Sequence, residues 1–555
     1  MKNKQRRRQR KTARRSAKTG ARTSAGTQTQ TAKKRKPFTA QEALDVALEH
    51  HRAGRLSDAE RIYKQILRAQ PDNAAACNNL GVALKTQGML DEAIVWYRRA
   101  QKIDPDYAEA QNNLGNALKE QEKLDEAVAC FRRAVEIKPD YADARNSLGA
   151  VLDKQGHVDE AIACYRRALE DKPDDESAHN NLGVILKTQG KLDEAITFYH
   201  RALELKPDYA EAQNNLANAV KDQGNLEDAL TRYRRAMEID PDYASAHFNY
   251  SLALLLGGKY AEGWVEHEWR WKRDDPEHRG RGFAQPLWDG SRLDGRTILV
   301  HAEQGLGDAI QFIRYMPFVA ERVGRVVVEC HPMVIRLFKD SPGIDQLVKR
   351  ESPLPHFDVQ TPFLTLPMIF GTTVETIPAE ARYLRAETGL VGFWRRRMAE
   401  FAGMKIGLCW QGNPKFPGDP WRSIPLKHFA VLLDHPSTTF INLHKGAGEM
   451  QIEEYGLADR IVNYSPEVES LIDTAAIMEN LDLIITSDTS VAHLAGALGK
   501  PTWVVLQFVP DWRWHLERDD NPWYPTMRLF RQKALGDWDE VFVRVKRALD
   551  EYGAP

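Results

Sequence analysis

The sequence predicts two architectures in one chain: an α-helical solenoid, followed by an α/β region of two Rossmann-like lobes. Three observations carry that prediction. Proline recurs at Pro71, Pro105, Pro139, Pro173, Pro207 and Pro241, always 34 residues apart. After Arg292 the helical period gives way to short β-branched runs alternating with helical stretches. And 555 residues, 42% hydrophobic and 28% charged, are enough for three or four compact units, which excludes global disorder and a fibrous protein.

The first 36 residues hold 15 of the 77 lysines and arginines and none of the 78 acids, so the rest of the chain carries a formal charge of −16. This basic arm (1–36) has almost nothing apolar to bury and is expected to be disordered. Three readings stay open for it: a solvated tail, a tether for an anionic partner, or a targeting peptide. It lacks the apolar stretch of a secretory signal. Five cysteines without a CxxC pair argue against a disulfide framework and a structural zinc site, so a reducing cytoplasm is the expected location. No run is long and apolar enough for a transmembrane segment.

In register with the prolines stand Gly81, Gly115, Gly149 and Gly183, then Ala93, Ala127, Ala161, Ala195 and Ala229, then Tyr97, Phe131, Tyr165, Tyr199 and Tyr233. Two packed antiparallel helices per unit require such positions: small residues permit close approach, the aromatic fills the gap, and proline breaks the chain before the next unit. The pattern resembles tetratricopeptide repeats over about residues 40–272, so a repeat superhelix is expected over 37–275, about six repeats and a degenerate capping repeat. In that last unit Trp264, Trp269 and Trp271 replace small residues, and it is expected to dock onto the α/β region.

One polar position recurs as Asn79, Asn113, Asn181, Asn215 and Asn249, with Ser147 in the gap. An asparagine column can pair with the backbone amides of an extended peptide. It resembles the asparagine ladder on the concave face of the repeats of O-linked N-acetylglucosamine transferase. The competing reading is a set of helix-surface residues shared through duplication.

In the α/β region strands are expected at Thr297 to His301, Arg325 to Cys330, Asp345 to Val348 and Asp358 to Gln360, with helices over Ala309 to Arg322 and Met333 to Lys339. The second series has strands at Ile406 to Trp410, Thr439 to Leu443, Ile461 to Asn463, Leu483 to Thr486 and Trp503 to Leu506. Its helices fall at Leu426 to Leu433, Glu469 to Glu479 and Val491 to Leu498. This alternation implies parallel sheets in two lobes, 292–390 and 400–550, with ligands at the carboxyl ends of the strands.

The first strand ends in Glu303-Gln304-Gly305-Leu306-Gly307-Asp308, a turn in which backbone N–H groups can approach an anion. Asp308 reads either as a helix N-cap or as a general base in the cleft. Strand Leu483 to Thr486 runs into Ser487-Asp488-Thr489-Ser490, then Val491-Ala492-His493. Hydroxyls and free N–H groups at a helix start suit a diphosphate, and an ordinary capped helix is the alternative. Trp512, Trp514 and Trp523 read as a base-stacking wall or as core. Asp537-Trp538-Asp539 is expected to begin the final helix rather than to hold a metal.

Together, Gly305-Leu306-Gly307-Asp308, Trp410-Gln411-Gly412-Asn413, Trp421-Arg422-Ser423-Ile424-Pro425 and Asp488 to Leu498 resemble the ordered landmarks of heptosyltransferase-like (family 9) glycosyltransferases. The resemblance implies a GT-B fold, a nucleotide-sugar as substrate, and inverting transfer without a cofactor or a required metal. It makes Asp308 the catalytic base. The donor site it implies holds Arg422, Ser423, Lys445, Asp488, Thr489, Ser490, Val491 and His493, with Gln304, Gly305 and Gly307 on the acceptor side. Arg422 stands near a lysine of the family. The expected function is a glycosyltransferase acting on a protein recruited by the repeats. Two alternatives are a transferase for a glycan or lipid acceptor and a non-catalytic protein-interaction scaffold.

Overall fold

The computed structural model describes residues 39–273, 281–303, 305–416 and 418–552. The basic arm and Gln304 lie outside them. The chain divides into two compact units, up to Ile137 and from Lys138 onward.

The first unit holds three helical hairpins: Ala40–Arg52 with Leu56–Ala69, Ala74–Thr86 with Leu90–Ile103, and Ala108–Glu120 with Leu124–Ile137. The chain enters the first helix through a capping box in which the Thr39 and Glu42 side chains and backbone N–H groups pair reciprocally. The period is built by contact. A Cβ added to Gly81 would stand 2.6 Å from the Tyr97 ring, and one on Gly115 would stand 2.7 Å from Phe131. The aromatic therefore occupies the space that a larger residue would need. Each helix pair ends before proline: Gln70 and Asp104, which precede Pro71 and Pro105, leave the helical region for φ near −130° and ψ near 90°.

The second unit continues with Ala142–Lys154 and Val158–Asp171, Glu176–Thr188 and Leu192–Leu205, Ala210–Asp222 and Leu226–Ile239, and Ala244–Leu256 and Tyr260–His267. Gly149 and Gly183 meet Tyr165 and Tyr199 as before. The last hairpin departs from the pattern as its sequence does. Tyr260 and Trp264 are buried in the same core as the α/β residues Trp512 and Trp523. Trp523 Nε1 donates to the Tyr260 hydroxyl at 2.8 Å, and Trp264 Nε1 donates to the Thr372 carbonyl at 3.1 Å. The 3-10 turn Glu268–Lys272 then inserts Arg270, fully buried, against Glu303 and Thr365.

Two parallel sheets follow. Strands β1 (Leu293–His301), β2 (Val323–Cys330), β3 (Gln346–Lys349) and β4 (Val359–Pro362) lie in the order β3-β2-β1-β4. The second sheet contains β5 (Met404–Cys409), β6 (Thr438–Asn442), β7 (Ile461–Val462), β8 (Leu483–Ser487), β9 (Thr502–Leu506) and β10 (Met527–Arg531). Its order is β10-β9-β8-β5-β6-β7, a doubly wound arrangement. Strand order reverses between β1 and β4 in the first sheet and between β5 and β8 in the second. These two reversals are the switch points at which α/β sheets open a crevice.

Several expected elements change. The helix expected over Ala309 to Arg322 starts earlier and breaks into Leu306–Phe312, a 3-10 turn Ile313–Tyr315 and Met316–Ala320. Pro317 has no N–H to continue the ladder and instead sits in the first turn of the second piece. Leu426–Leu432 is a 3-10 helix. Strand β10 and the helix Thr388–Arg397, which forms where the sequence is polar and Arg-rich, are additional. The final helix begins at Trp538, inside Asp537-Trp538-Asp539.

Candidate functional site

Both switch points open into one cavity of about 1840 Å³. Its walls come from the loops after β1, β5, β8 and β9, and from the repeats through Lys187, Lys221, Phe248, Leu252 and Leu256. Nine lysines and arginines line it against six carboxylates, a balance that favours an anionic ligand.

On the second lobe, β8 ends and Thr489 caps the helix Ser490–Ala497, its hydroxyl accepting from the Val491 N–H at 3.3 Å. Thr489 adopts extended backbone, so the helix begins abruptly at the strand end, with its first N–H groups at the crevice. Asp488, Thr489, Ser490, Val491 and His493 all line the cavity. Burial, with the Asp511 carboxylate adding to it against Arg422 and Arg513, pushes the Asp488 carboxyl up to about 6. His493 is buried, and its Nδ1 lies 2.8 Å from the Tyr524 hydroxyl. Burial first, then the nearby Arg513, Arg314 and Arg422 charges, hold its imidazole well below the ordinary histidine range, so it is neutral.

The loop after β5 brings Arg422 to the same wall. Its Nε donates to Asp419 at 3.3 Å, and its guanidinium lies 4.6 Å from the centre of the Phe416 ring. Gly412 lies beneath it: a Cβ there would stand 2.5 Å from Asp419 Oδ1 and 2.6 Å from Arg422 Nη2, so both side chains would have to move. Ser423 works within the loop, accepting from Gly412 N–H at 3.1 Å and donating to Asp419 at 2.9 Å. Lys445 lines the cavity, but its ammonium is engaged by the Val468 carbonyl, with the Ser465 carbonyl at 3.5 Å.

On the first lobe, Gly305 rather than Asp308 is the N-cap of Leu306–Phe312, so the N-cap reading of Asp308 is corrected. Asp308 stands in the first turn. One carboxylate oxygen pairs with Arg513 of the second lobe, and the carboxylate also accepts from the Gly305 N–H. Burial raises its pKa, opposed by Arg513. Gly307 touches the His493 ring across the cleft. Arg513 itself is buried, with Nε donating to Gln311 at 2.6 Å and Nη1 to Asp511 at 2.8 Å.

Sequence reasoning missed this arginine, although it stands between two of the tryptophans that the sequence singles out. Those tryptophans are core: Trp512, Trp514 and Trp523 are at most 4% exposed. Also missed was the pair Arg270–Glu303, in which Nε donates at 2.9 Å and Nη2 at 3.2 Å.

The asparagine column is itself hydrogen-bonded. Asn113 donates to Asn78, Asn181 to Asn146, Asn215 to Asn180 and Asn249 to Asn214, all between 2.9 and 3.0 Å. Each donor amide keeps a second N–H. The Asn79 carbonyl accepts from Asn78 at 3.3 Å. The column is thus an inter-repeat ladder whose members remain partly exposed. Among the described residues no helix is long and apolar enough to cross a membrane.

Comparison with known proteins reaches the repeats most directly. Family models described as tetratricopeptide repeat match residues 174–242 and 214–275, and one described as TPR repeat matches 83–122, 115–156 and 152–190. The chain is 26% identical over 339 residues to Protein FlbA of Caulobacter vibrioides, covering 54% of each. It thus spans about half the length of the curated relative it matches. Among solved structures, YrrB, described as a TPR protein with an unusual peptide-binding site, is 27% identical. The match covers 33% of this chain and 95% of YrrB, with a TM-score of 0.28. TTC0263, a thermophilic TPR protein in Thermus thermophilus, is 25% identical over 33% of this chain and 99% of that one, with a TM-score of 0.30. Helical hairpins at a 34-residue period and three matching repeat families lead to one conclusion: residues 83–275 are an array of tetratricopeptide repeats.

Proposed function

We propose that the α/β region is a GT-B glycosyltransferase, and that it moves a sugar from a nucleotide-sugar to a polypeptide presented by the repeats. One observation carries the reading: two switch points and the last repeat share a single cavity. Its volume exceeds the roughly 300–1,000 Å³ of an ordinary single-ligand pocket, leaving room for donor and acceptor together.

In this reading Thr489, Ser490 and the start of their helix cradle the diphosphate, with Arg422 opposite its charge. An acceptor hydroxyl attacks the anomeric carbon from the first-lobe side while the bond from that carbon to the diphosphate oxygen breaks. The nucleoside diphosphate leaves, and the hydroxyl proton passes to a carboxylate, for which Asp308 is the candidate. The acceptor side is supported by the helix Ala244–Leu256. Asn249 ends the ladder there, and Leu252 and Leu256, on the same helix face, line the cavity. An extended chain following the asparagines would run into the cleft.

The test is a thermal-shift and titration screen of the full chain against UDP-, GDP- and ADP-sugars. Occupancy at 100 times Kd should stabilise the fold by about 2.7 kcal/mol, with the shift reduced in Thr489→Ala. The absence of any shift or donor hydrolysis would defeat the reading. Replacing Asn113, Asn181 and Asn215 together with alanine should abolish peptide transfer and leave donor hydrolysis intact.

One observation favours a second reading, a protein-interaction scaffold without catalysis: Asp308 is tied into an ion pair between the lobes. A scaffold predicts that Asp308→Ala changes no glycosylation in cells while deletion of the repeats still has a phenotype.

A further inference from the structure

Arg513 is the side chain through which the second lobe reaches the candidate base of the first. It follows β9 in the chain, is 8% exposed, and its guanidinium meets Asp308, Gln311 and Asp511. Two of these, Asp308 and Gln311, belong to the helix Leu306–Phe312 of the first lobe. Arg513 also lines the cavity alongside Arg422, and the two guanidinium charges both act on Asp488 and His493 at the start of the second-lobe helix. One buried cation therefore stands between a carboxylate on the acceptor lobe and the place where donor phosphates are expected.

A guanidinium has five N–H donors in a fixed fork and satisfies two anions fully only if they share its edges. Asp308 already takes Nη2 and Asp511 takes Nη1. A diphosphate arriving beside Ser490 would compete for the same charge in a buried setting, where such hydrogen bonds are strong. Resting on the donor reading above, we propose that Arg513 is a positioning residue shared between two anions, and that a bound diphosphate draws it from Asp308 and frees that carboxylate for the acceptor hydroxyl. Donor occupancy then precedes acceptor activation. The coupling is reciprocal: whatever frees Arg513 from Asp308 must tighten diphosphate binding by the same factor.

That reciprocity gives a signed test. Pyrophosphate, UDP, GDP and ADP are titrated calorimetrically into the full-length wild-type chain and into Asp308→Asn, Arg513→Lys, Arg513→Gln and the Asp308→Asn/Arg513→Gln double variant, each checked for an intact thermal transition. Asp308→Asn should tighten the binding of a recognised diphosphate about fivefold or more, and Arg513→Gln should weaken it about tenfold or more, with Arg513→Lys in between. In the double variant Asp308→Asn should have no further effect, because its influence passes through Arg513. A purely structural ion pair predicts that Asp308→Asn leaves affinity unchanged or weaker, and simple removal of a negative charge predicts tightening that persists without Arg513. Either result overturns the proposal while leaving the donor reading in place. Should none of the four probes bind wild type or Asp308→Asn, the donor reading falls and this inference falls with it.

Discussion

Gly307 and His493 are in contact across the two lobes: a Cβ on Gly307 would stand 2.7 Å from His493 Cδ2. The helices carrying them pack against each other, so the glycine sets how closely the two switch points approach. Gly307→Ala should force the imidazole off the Tyr524 hydroxyl and cost about 1–3 kcal/mol, as overpacking does. Thermal unfolding measures the loss, and His493→Ala in the same chain should recover part of it. A neutral result for Gly307→Ala would mean that the lobes separate freely in solution.

Asp488 gives a pH signature. Burial raises its carboxyl to about 6, so it is ionised at pH 7.5 and mostly neutral at pH 5.5. In the proposed donor site that negative charge opposes an anionic ligand. Affinity for a nucleotide-sugar, whose phosphates do not titrate in this interval, should therefore rise as pH falls through 6, by roughly three- to tenfold. His493 contributes nothing in this window because its imidazole stays neutral. Titrations in Asp488→Asn should be flat across the same range, and a pH response that survives the substitution would assign it elsewhere.

Arg270 is a buried cation shared by Glu268, Glu303 and Thr365. Removing it leaves two carboxylates facing each other without compensation. Arg270→Ala should cost about 3–5 kcal/mol and lower the midpoint of thermal unfolding sharply. A shift of under a degree would show that the last hairpin is dispensable to the α/β fold.

Glu122 holds φ of 60° in a turn where Gly54, Gly88, Gly156, Gly190, Gly224 and Gly258 stand in the other hairpins. A side chain in the left-handed region is strained, by about 1 kcal/mol. Glu122→Gly should stabilise the first unit by about 0.5–1 kcal/mol, read as a higher unfolding temperature of the full chain. An unchanged or lower temperature would mean that contacts of the glutamate outweigh its backbone strain.

The repeats were legible because their information is periodic. Gly81 and Tyr97 contact each other 16 residues apart, and a glycine–aromatic pair recurs at Gly115, Gly149 and Gly183, so the packing repeats with the spelling. The strands were legible to within a few residues, since β-branched runs such as Val326 to Val328 suit a sheet buried on both faces. Where the reading failed, a local signal was read for the wrong property. Pro317 breaks a helix that hydrophobic periodicity had drawn as continuous. In the tail the core reading of Trp512, Trp514 and Trp523 holds, but strand β10 went unmarked beside them. In the candidate site the local run Asp488 to His493 was legible as a strand-to-helix turn, and it lines the cavity. Arg513 was not, because its partner Asp308 lies 205 residues earlier and nothing in either segment marks the pairing.

The shared tryptophan core at the last hairpin bears on modularity. Tyr260 and Trp264 belong to the same apolar interior as Trp512 and Trp523, so the boundary between solenoid and α/β region is a seam without a hinge. Cutting the chain there would leave two fragments, each with a raw aromatic face prone to aggregation. A swap of repeat arrays between homologous proteins should therefore place its crossover upstream, within the regular hairpins, where each unit keeps its own glycine and aromatic contact and neighbouring units meet through the recurring asparagine bonds, which exchange preserves.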